Sequence, residues 1–195
     1  MKVRFAGKSQ ARHLSFAVVV MLLGAVVCSA SPITYNVNRV IGAGSVTGFI
    51  ETDGSTGVLT ATNIVDWSLT LNDGTNTFSL FGPSSGNNSV VYSQGADVSA
   101  SATQLLFNFS GTDNGLFLFQ AGLFSGMHYY CAATQLGACY AGETVVPTSV
   151  FTLYQNASRS GDVVIGSAVP EPGTLLLVGS GLLGAVGTLR RKRAN

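Results

Sequence analysis

Short runs in which apolar and polar residues alternate with a period of two recur through the middle of this 195-residue chain, and no segment sustains a helical period. Val65, Trp67, Leu69 and Leu71 fall on one face while Asp66, Ser68 and Thr70 fall on the other, the pattern of a half-buried strand. Ile33, Tyr35 and Val37 alternate with Thr34, Asn36 and Asn38 in the same way, as do Leu105, Phe107 and Phe109 with Gln104, Asn108 and Ser110. Leu116 to Phe119 is apolar on both faces, which predicts a central strand. Between the runs stand Thr52-Asp53-Gly54, Asn72-Asp73-Gly74 and Asp113-Asn114-Gly115, residues that tolerate positive φ where a hairpin reverses.

Residues 64–71, a turn at 72–76 and residues 77–81 therefore predict a hairpin. Further strands are expected near 45–51, 58–61, 89–93, 98–102, 149–155 and 162–165. The expected fold is all-β, an antiparallel β-sandwich over residues 31–168, with jelly-roll connections as one topology.

The ends of the chain have a different character. A basic segment through Arg12, an apolar core from Leu14 to Val27 and the small-residue site Cys28-Ser29-Ala30 have the layout of a secretory signal peptide, with cleavage expected after Ala30. A retained N-terminal anchor is the alternative, although 14 apolar residues are short for a span of about 20. At the other end, Val169-Pro170-Glu171-Pro172 precedes an apolar run from Gly173 to Leu189 and the cluster Arg190-Arg191-Lys192-Arg193. As a helix the run spans about 25 Å, enough to cross a bilayer with little tilt. The four bases should stay cytoplasmic, which puts the domain outside. Pro170 and Pro172 hold Glu171 in an extended stretch at the outer membrane face, a presentation suited to cleavage.

This order of a Pro-Glu-Pro motif, a short apolar run and a basic end resembles the sorting tail of PEP-CTERM proteins, the exosortase substrates of Gram-negative bacteria. The resemblance implies export and a transient inner-membrane tether. It further implies recognition of Pro170, Glu171 and Pro172 by the membrane protease exosortase, then release or transfer to the cell surface. Members of the family are often linked to exopolysaccharide and biofilm matrix. The chain thus divides into a signal peptide (1–30), an exported domain (31–168) and a sorting tail (169–195) carrying the transmembrane helix at 173–189 and the basic anchor at 190–193. A plain membrane anchor with helix-capping prolines is the competing reading of the tail.

Eight of the ten Lys and Arg residues lie in the two terminal segments, so residues 31–168 keep only Arg39 and Arg159. Against them stand eight acids, Glu51, Asp53, Asp66, Asp73, Asp97, Asp113, Glu143 and Asp162, for a net charge of −6. Such a domain repels phosphate backbones, so nucleic acid is not an expected partner. Its abundant Ser, Thr, Asn and Gly suit hydrogen bonding to polysaccharide or to neighbouring copies, as well as mere solubility.

If Cys28 leaves with the signal peptide, Cys131 and Cys139 remain, an even pair that an oxidising compartment would join; two free thiols are the alternative. The region 123–147 interrupts the strand rhythm and gathers His128, Tyr129, Tyr130 and Tyr140 around this pair, predicting a long loop. Tyrosines there could stack on sugar rings or simply cover the sandwich edge.

Two motifs look catalytic but lack the context. Gly82-Pro83-Ser84-Ser85-Gly86 matches the nucleophile elbow G-x-S-x-G, yet Asn87, Asn88 and Ser89 follow where the elbow needs a helix. Gly179 to Gly184 matches G-x-G-x-x-G inside the C-terminal apolar run, with no βαβ unit around it. His128 is the one histidine of residues 31–168, and no zinc-type spacing accompanies it, so neither a metal nor another cofactor is expected. The expectation is a non-enzymatic, exported protein of the cell surface or extracellular matrix, with a carbohydrate-binding module as the first alternative and a secreted hydrolase as the second.

Overall fold

The computed structural model describes residues 31–122, 127–135, 139–148 and 154–169. The expected signal peptide at 1–30, Pro170-Glu171-Pro172, the apolar run 173–189 with its expected transmembrane helix, the expected basic anchor Arg190-Arg191-Lys192-Arg193 and most of the strand expected at 149–155 lie outside the described residues.

Thirteen strands are described, and every pairing between them is antiparallel. They are β1 (Ile33–Ile41), β2 (Gly44–Thr52), β3 (Gly57–Val58), β4 (Ile64–Asn72), β5 (Thr77–Phe81), β6 (Val90–Gln94) and β7 (Val98–Ala100). The series continues with β8 (Gln104–Asn108), β9 (Leu116–Ala121), β10 (His128–Ala133), β11 (Gly142–Val146), β12 (Gln155–Ala157) and β13 (Asp162–Ala168). Eight form one sheet in the order β3-β7-β8-β13-β1-β2-β4-β5, and five form the other in the order β12-β11-β10-β9-β6. The chain runs as two meanders, β1-β2-β4-β5 and β9-β10-β11-β12, where a jelly roll would change sheets at nearly every step. The all-β sandwich expected from the alternation is therefore present with a different connectivity.

Local chemistry sets the hairpins. The β4–β5 turn closes because the Asp73 carboxylate accepts from the backbone N–H groups of Thr75 (2.9 Å) and Asn76 (2.7 Å), an Asx turn. Between β1 and β2 the reversal takes only Gly42 and Ala43, and Gly42 adopts the left-handed φ of 58° that such a tight turn needs.

One expected face was wrong by a residue. Glu51 pairs with Asp66 but Thr52 pairs with Ile64, so Val65 is the extra residue of a bulge. Val65 consequently turns outward, while Trp67, Leu69 and Leu71 keep the core face. Where a strand was expected over 58–61, the chain leaves β3 and makes a 3-10 turn at Ala61–Asn63, held by the Asn63 side chain accepting from Thr60 N–H (2.9 Å).

The larger correction concerns residues 123–147. The expected loop contains β10 and β11, two interior strands of the five-stranded sheet. The described loop is limited to the connection around the Cys131–Cys139 disulfide.

Between the sheets lies a core built from Tyr35, Val37, Ile41, Ile50, Leu69, Leu71 and Phe107 on one side and Phe117, Phe119, Tyr130 and Val145 on the other. Trp67 meets Phe119 edge-on at 5.4 Å between ring centres, and its indole N–H donates to Ser89 Oγ at 2.8 Å. A second, smaller apolar cluster covers the outer face of the five-stranded sheet: Leu118, Tyr129, Cys131, Ala133, Cys139 and Val146. This explains why β9 and β10 are apolar on both faces and show no alternation.

One inner position on each sheet is charged. The Glu143 side chain of β11 is fully buried. Its Oε1 accepts from Arg39 Nε (2.8 Å) and Tyr130 OH (2.9 Å), and its Oε2 from Arg39 Nη2 (2.6 Å) and Arg159 Nε (2.7 Å). Four donors fill the acceptor capacity of the carboxylate. The guanidinium groups also donate to backbone carbonyls, Arg39 to Val164 (2.8 Å) and Arg159 to Val40 (2.7 Å). Together these bonds tie β1, β10, β11, β13 and the β12–β13 connection into one unit.

Burial by itself would raise the Glu143 carboxyl, yet the hydrogen bonds and charge of Arg39, with those of Arg159 and Tyr130, hold it below its ordinary value. The folded pKa is thus lower than the unfolded one. Its contribution to stability is present above an unfolded value of 4.5 and is lost as pH falls through the folded value.

Glu143→Gln should lower the unfolding free energy of residues 31–169 by about 3 kcal/mol in urea titrations, because it leaves two guanidinium groups without their counter-charge. Asp162→Asn, at an exposed strand end, should change it by no more than about 0.5 kcal/mol. Between about pH 5 and pH 3 the wild type should lose stability more steeply than Glu143→Gln. Parallel acid limbs for the two proteins would contradict the assignment of this carboxylate.

Candidate functional site

β13 is the last described strand, and the last described residue, Val169, directly precedes the Pro-Glu-Pro motif. β13 lies in the interior of the eight-stranded sheet, between β8 and β1, so both of its edges are paired. At its end the backbone N–H of Ala168 donates to Thr103 O (2.8 Å) and that of Val169 to Thr34 O (2.9 Å). Pro170 follows directly and has no N–H to continue the ladder. Three residues, Pro170 to Pro172, separate Val169 from the start of the apolar run at Gly173, at most about 14 Å between the two Cα atoms in extended chain.

The residues gathered as a possible ligand loop separate into different environments. His128 opens β10, with its ring stacked on Phe78 at 3.7 Å and its Nδ1 at 2.7 Å from Pro147 O. Tyr130 faces the inner core and is fully buried, with its hydroxyl committed to Glu143. Burial, together with the Glu143 charge and hydrogen bond, holds that phenol well above its ordinary value.

Tyr129 lies in the outer cluster, and burial, followed by the charges of Tyr140 and Tyr154, pushes its phenol up to about 12. Neither Tyr129 nor Tyr130 presents a ring face to solvent. Tyr140 does: it is 40% exposed and stacks on Tyr154 with ring centres 4.4 Å apart. Cys131 and Cys139 form a disulfide with Cα atoms 6.5 Å apart, returning the connection after β10 onto the outer face of the same strand. That face also carries the exposed Tyr92 of edge strand β6, opposite Leu118.

The Gly82–Gly86 segment is a turn with a structural staple. Asp66, on the face of β4 away from Trp67, accepts from Ser84 N–H (3.0 Å) and Ser85 Oγ (2.6 Å). A Cβ at Gly82 would meet the Asp66 carboxylate and the backbone of Trp67, so the turn sits tightly on β4. No helix follows Ser84, and the hydrogen-bond partner of His128 is remote from this Ser–Asp contact in sequence and element. The Gly179–Gly184 motif lies outside the described residues.

Among the described residues no group of three or more His, Cys, Asp and Glu side chains gathers as a metal site. No described helix is long and apolar enough to cross a membrane.

Two arrangements were not visible from motif reading. The Arg39–Glu143–Arg159 cluster joins positions 104 and 16 residues apart. Its one sequence signal was that Arg39 continues the core-facing phase of Tyr35 and Val37. The second is the buried carboxylate of Asp97, beside the β8–β9 connection.

No curated protein and no solved structure matches this chain. Its C-terminal segment does have a match: residues 168–193, beginning at the last residue of β13, match the family model of the PEP-CTERM protein-sorting motif, which supports sorting of the chain by exosortase.

Proposed function

We propose that this is a non-enzymatic protein of the cell surface or extracellular matrix, whose β-sandwich is the delivered product and whose tail is a disposable handle. The observation that carries the reading is the junction at residues 168–170. Among the described residues, the last backbone hydrogen bonds, from Ala168 and Val169, fall immediately before the Pro-Glu-Pro motif, so a cut in or after that motif leaves the described core's bonds in place. The short connection also keeps the domain close to the membrane until it is cut.

Charge supports the same role. Arg39 and Arg159 are the only bases of residues 31–168, and both are engaged with Glu143. The seven other acids of that region, Glu51, Asp53, Asp66, Asp73, Asp97, Asp113 and Asp162, have no basic side chain to answer them. A Lys-free, anionic exterior rich in hydroxyl and amide groups suits a hydrated matrix and opposes binding to nucleic acid or anionic lipid.

A carbohydrate-binding module is the second reading, and exposed Tyr92 and Tyr140 on the outer side of the five-stranded sheet favour it. In this form it depends on those two rings, because Tyr129 and Tyr130 are buried. Retention on matrix polysaccharide that disappears in Tyr140→Ala and Tyr92→Ala would support it.

Mass spectrometry of the surface or extracellular fraction of a native host tests the principal reading. Peptides from the β-domain should be recovered there without any from residues 173–195. Recovery of chains intact through Asn195 in that fraction would overturn it. Replacing Pro170, Glu171 and Pro172 with Ala should retain the protein in the membrane fraction.

A further inference from the structure

The eight-stranded sheet ends at β3, two residues long, and at β5, five residues long. A strand edge carries a row of backbone donors and acceptors, and β5 offers them on an uncharged, proline-free segment, Thr77-Phe78-Ser79-Leu80-Phe81. Such an edge is a template on which another strand can add. Which groups face outward follows from the pairing with β4. Gly82 N–H donates to Trp67 O (2.7 Å), so by alternation Phe81 and Ser79 turn their N–H and C=O groups away from the sheet.

One side chain covers those groups. Asn88 Oδ1 accepts from Phe81 N–H (2.7 Å), while Asn88 Nδ2 donates to Ser79 O (2.9 Å). A carboxamide carries the same donor and acceptor as a peptide group, so Asn88 fills ladder positions that a neighbouring strand would take. Phe81 O accepts in turn from the N–H groups of Asn88 and Ser89 (3.2 Å each) and from Ser89 Oγ (2.8 Å). The segment is anchored on both sides of Asn88: Ser84 and Ser85 donate to Asp66, and Ser89 Oγ accepts from the Trp67 indole. Asn87, at a left-handed φ of 52°, turns the chain between these anchors. The Gly82–Gly86 motif thereby has a structural task, which is to bring Asn88 back along β5.

We propose that Asn88 guards the β5 edge, and that this edge, once uncovered, is a self-association surface for β5 of a second copy. The occupant follows from complementarity. Antiparallel pairing about a two-fold axis at Ser79 uses all five residues, setting Ser79 against its own equivalent, Phe78 against Leu80 and Thr77 against Phe81. The outward-facing residues of both strands then exchange their backbone bonds. No like charges meet: β5 carries none, and the antiparallel arrangement puts the two Asp73 turns at opposite ends of the pair. That matters for a domain whose net charge is −6. With Asn88 in place the surface is shut, and the domain adds no strand at this edge.

The test counts chains per micelle by sedimentation equilibrium, using the full chain in detergent, with Trp67 emission to check that each variant is folded. Any association through the C-terminal apolar run or through the five-residue edge strand β6 is then a baseline common to all variants. Asn88→Ala should raise the association constant at least about tenfold over wild type. Asn88→Ser, whose side chain is too short to bond both groups, should do the same and serves where Asn88→Ala fails to fold. Asn88→Asp keeps the acceptor for Phe81 N–H and adds an edge charge, so it should stay at the wild-type value.

Asn88→Ala combined with Ser79→Lys should return to the wild-type value, because the pairing sets two cations directly opposite each other. Mixing that chain with Asn88→Ala/Ser79→Glu should restore association. Equal constants for wild type, Asn88→Ala and Asn88→Ser would overturn the proposal. A gain that persists with Ser79→Lys, or a Lys and Glu mixture that does not associate, would overturn pairing through β5.

Discussion

The buried carboxylate of Glu143 constrains more of this molecule than any other group. It lies on the inner face of the five-stranded sheet and takes all its neutralising charge from Arg39, on the opposing sheet, and Arg159, in the connection between β12 and β13. A sandwich core is otherwise indifferent to small sliding of one sheet over the other, because apolar contacts are non-directional. A bidentate Arg–carboxylate pair is directional, and a displaced register would leave charge buried without a partner. The cluster therefore selects one alignment of the sheets.

Much of the fold could be read from local pattern because much of it is local. Asp73 closes the β4–β5 hairpin with its own neighbours, and Trp67, Leu69 and Leu71 keep their phase because the strand between them is regular. Val65 fails because a bulge is a property of two strands, visible only when Glu51 and Thr52 are placed opposite it. β10 and β11 escaped notice for a different reason. Their outer faces are covered by the disulfide-strapped cluster, so the sequence His-Tyr-Tyr-Cys-Ala-Ala has no polar beat to mark a strand.

The site residues divide along the same line. Pro170, Glu171 and Pro172 belong to a contiguous signal whose meaning lies in order and spacing, and it could be found without a structure. Glu143 and Asp97 are single acids in unremarkable surroundings, and what distinguishes them is burial by segments remote in the chain. Among the described residues the two acids also show opposite solutions to one problem: Glu143 is satisfied by Arg39 and Arg159, whereas Asp97 pairs with no cation.

A double-mutant cycle between Arg39 and Glu143, using Arg39→Met and Glu143→Gln in urea titrations of residues 31–169, tests the joining of the sheets most directly. The two residues are 104 apart in sequence and 2.6 Å apart at their charged atoms. Coupling of at least about 1.5 kcal/mol is the predicted result, since each single change strands the partner's charge. Additivity within about 0.5 kcal/mol would mean that the pair does not hold the two sheets in register, and would contradict the account.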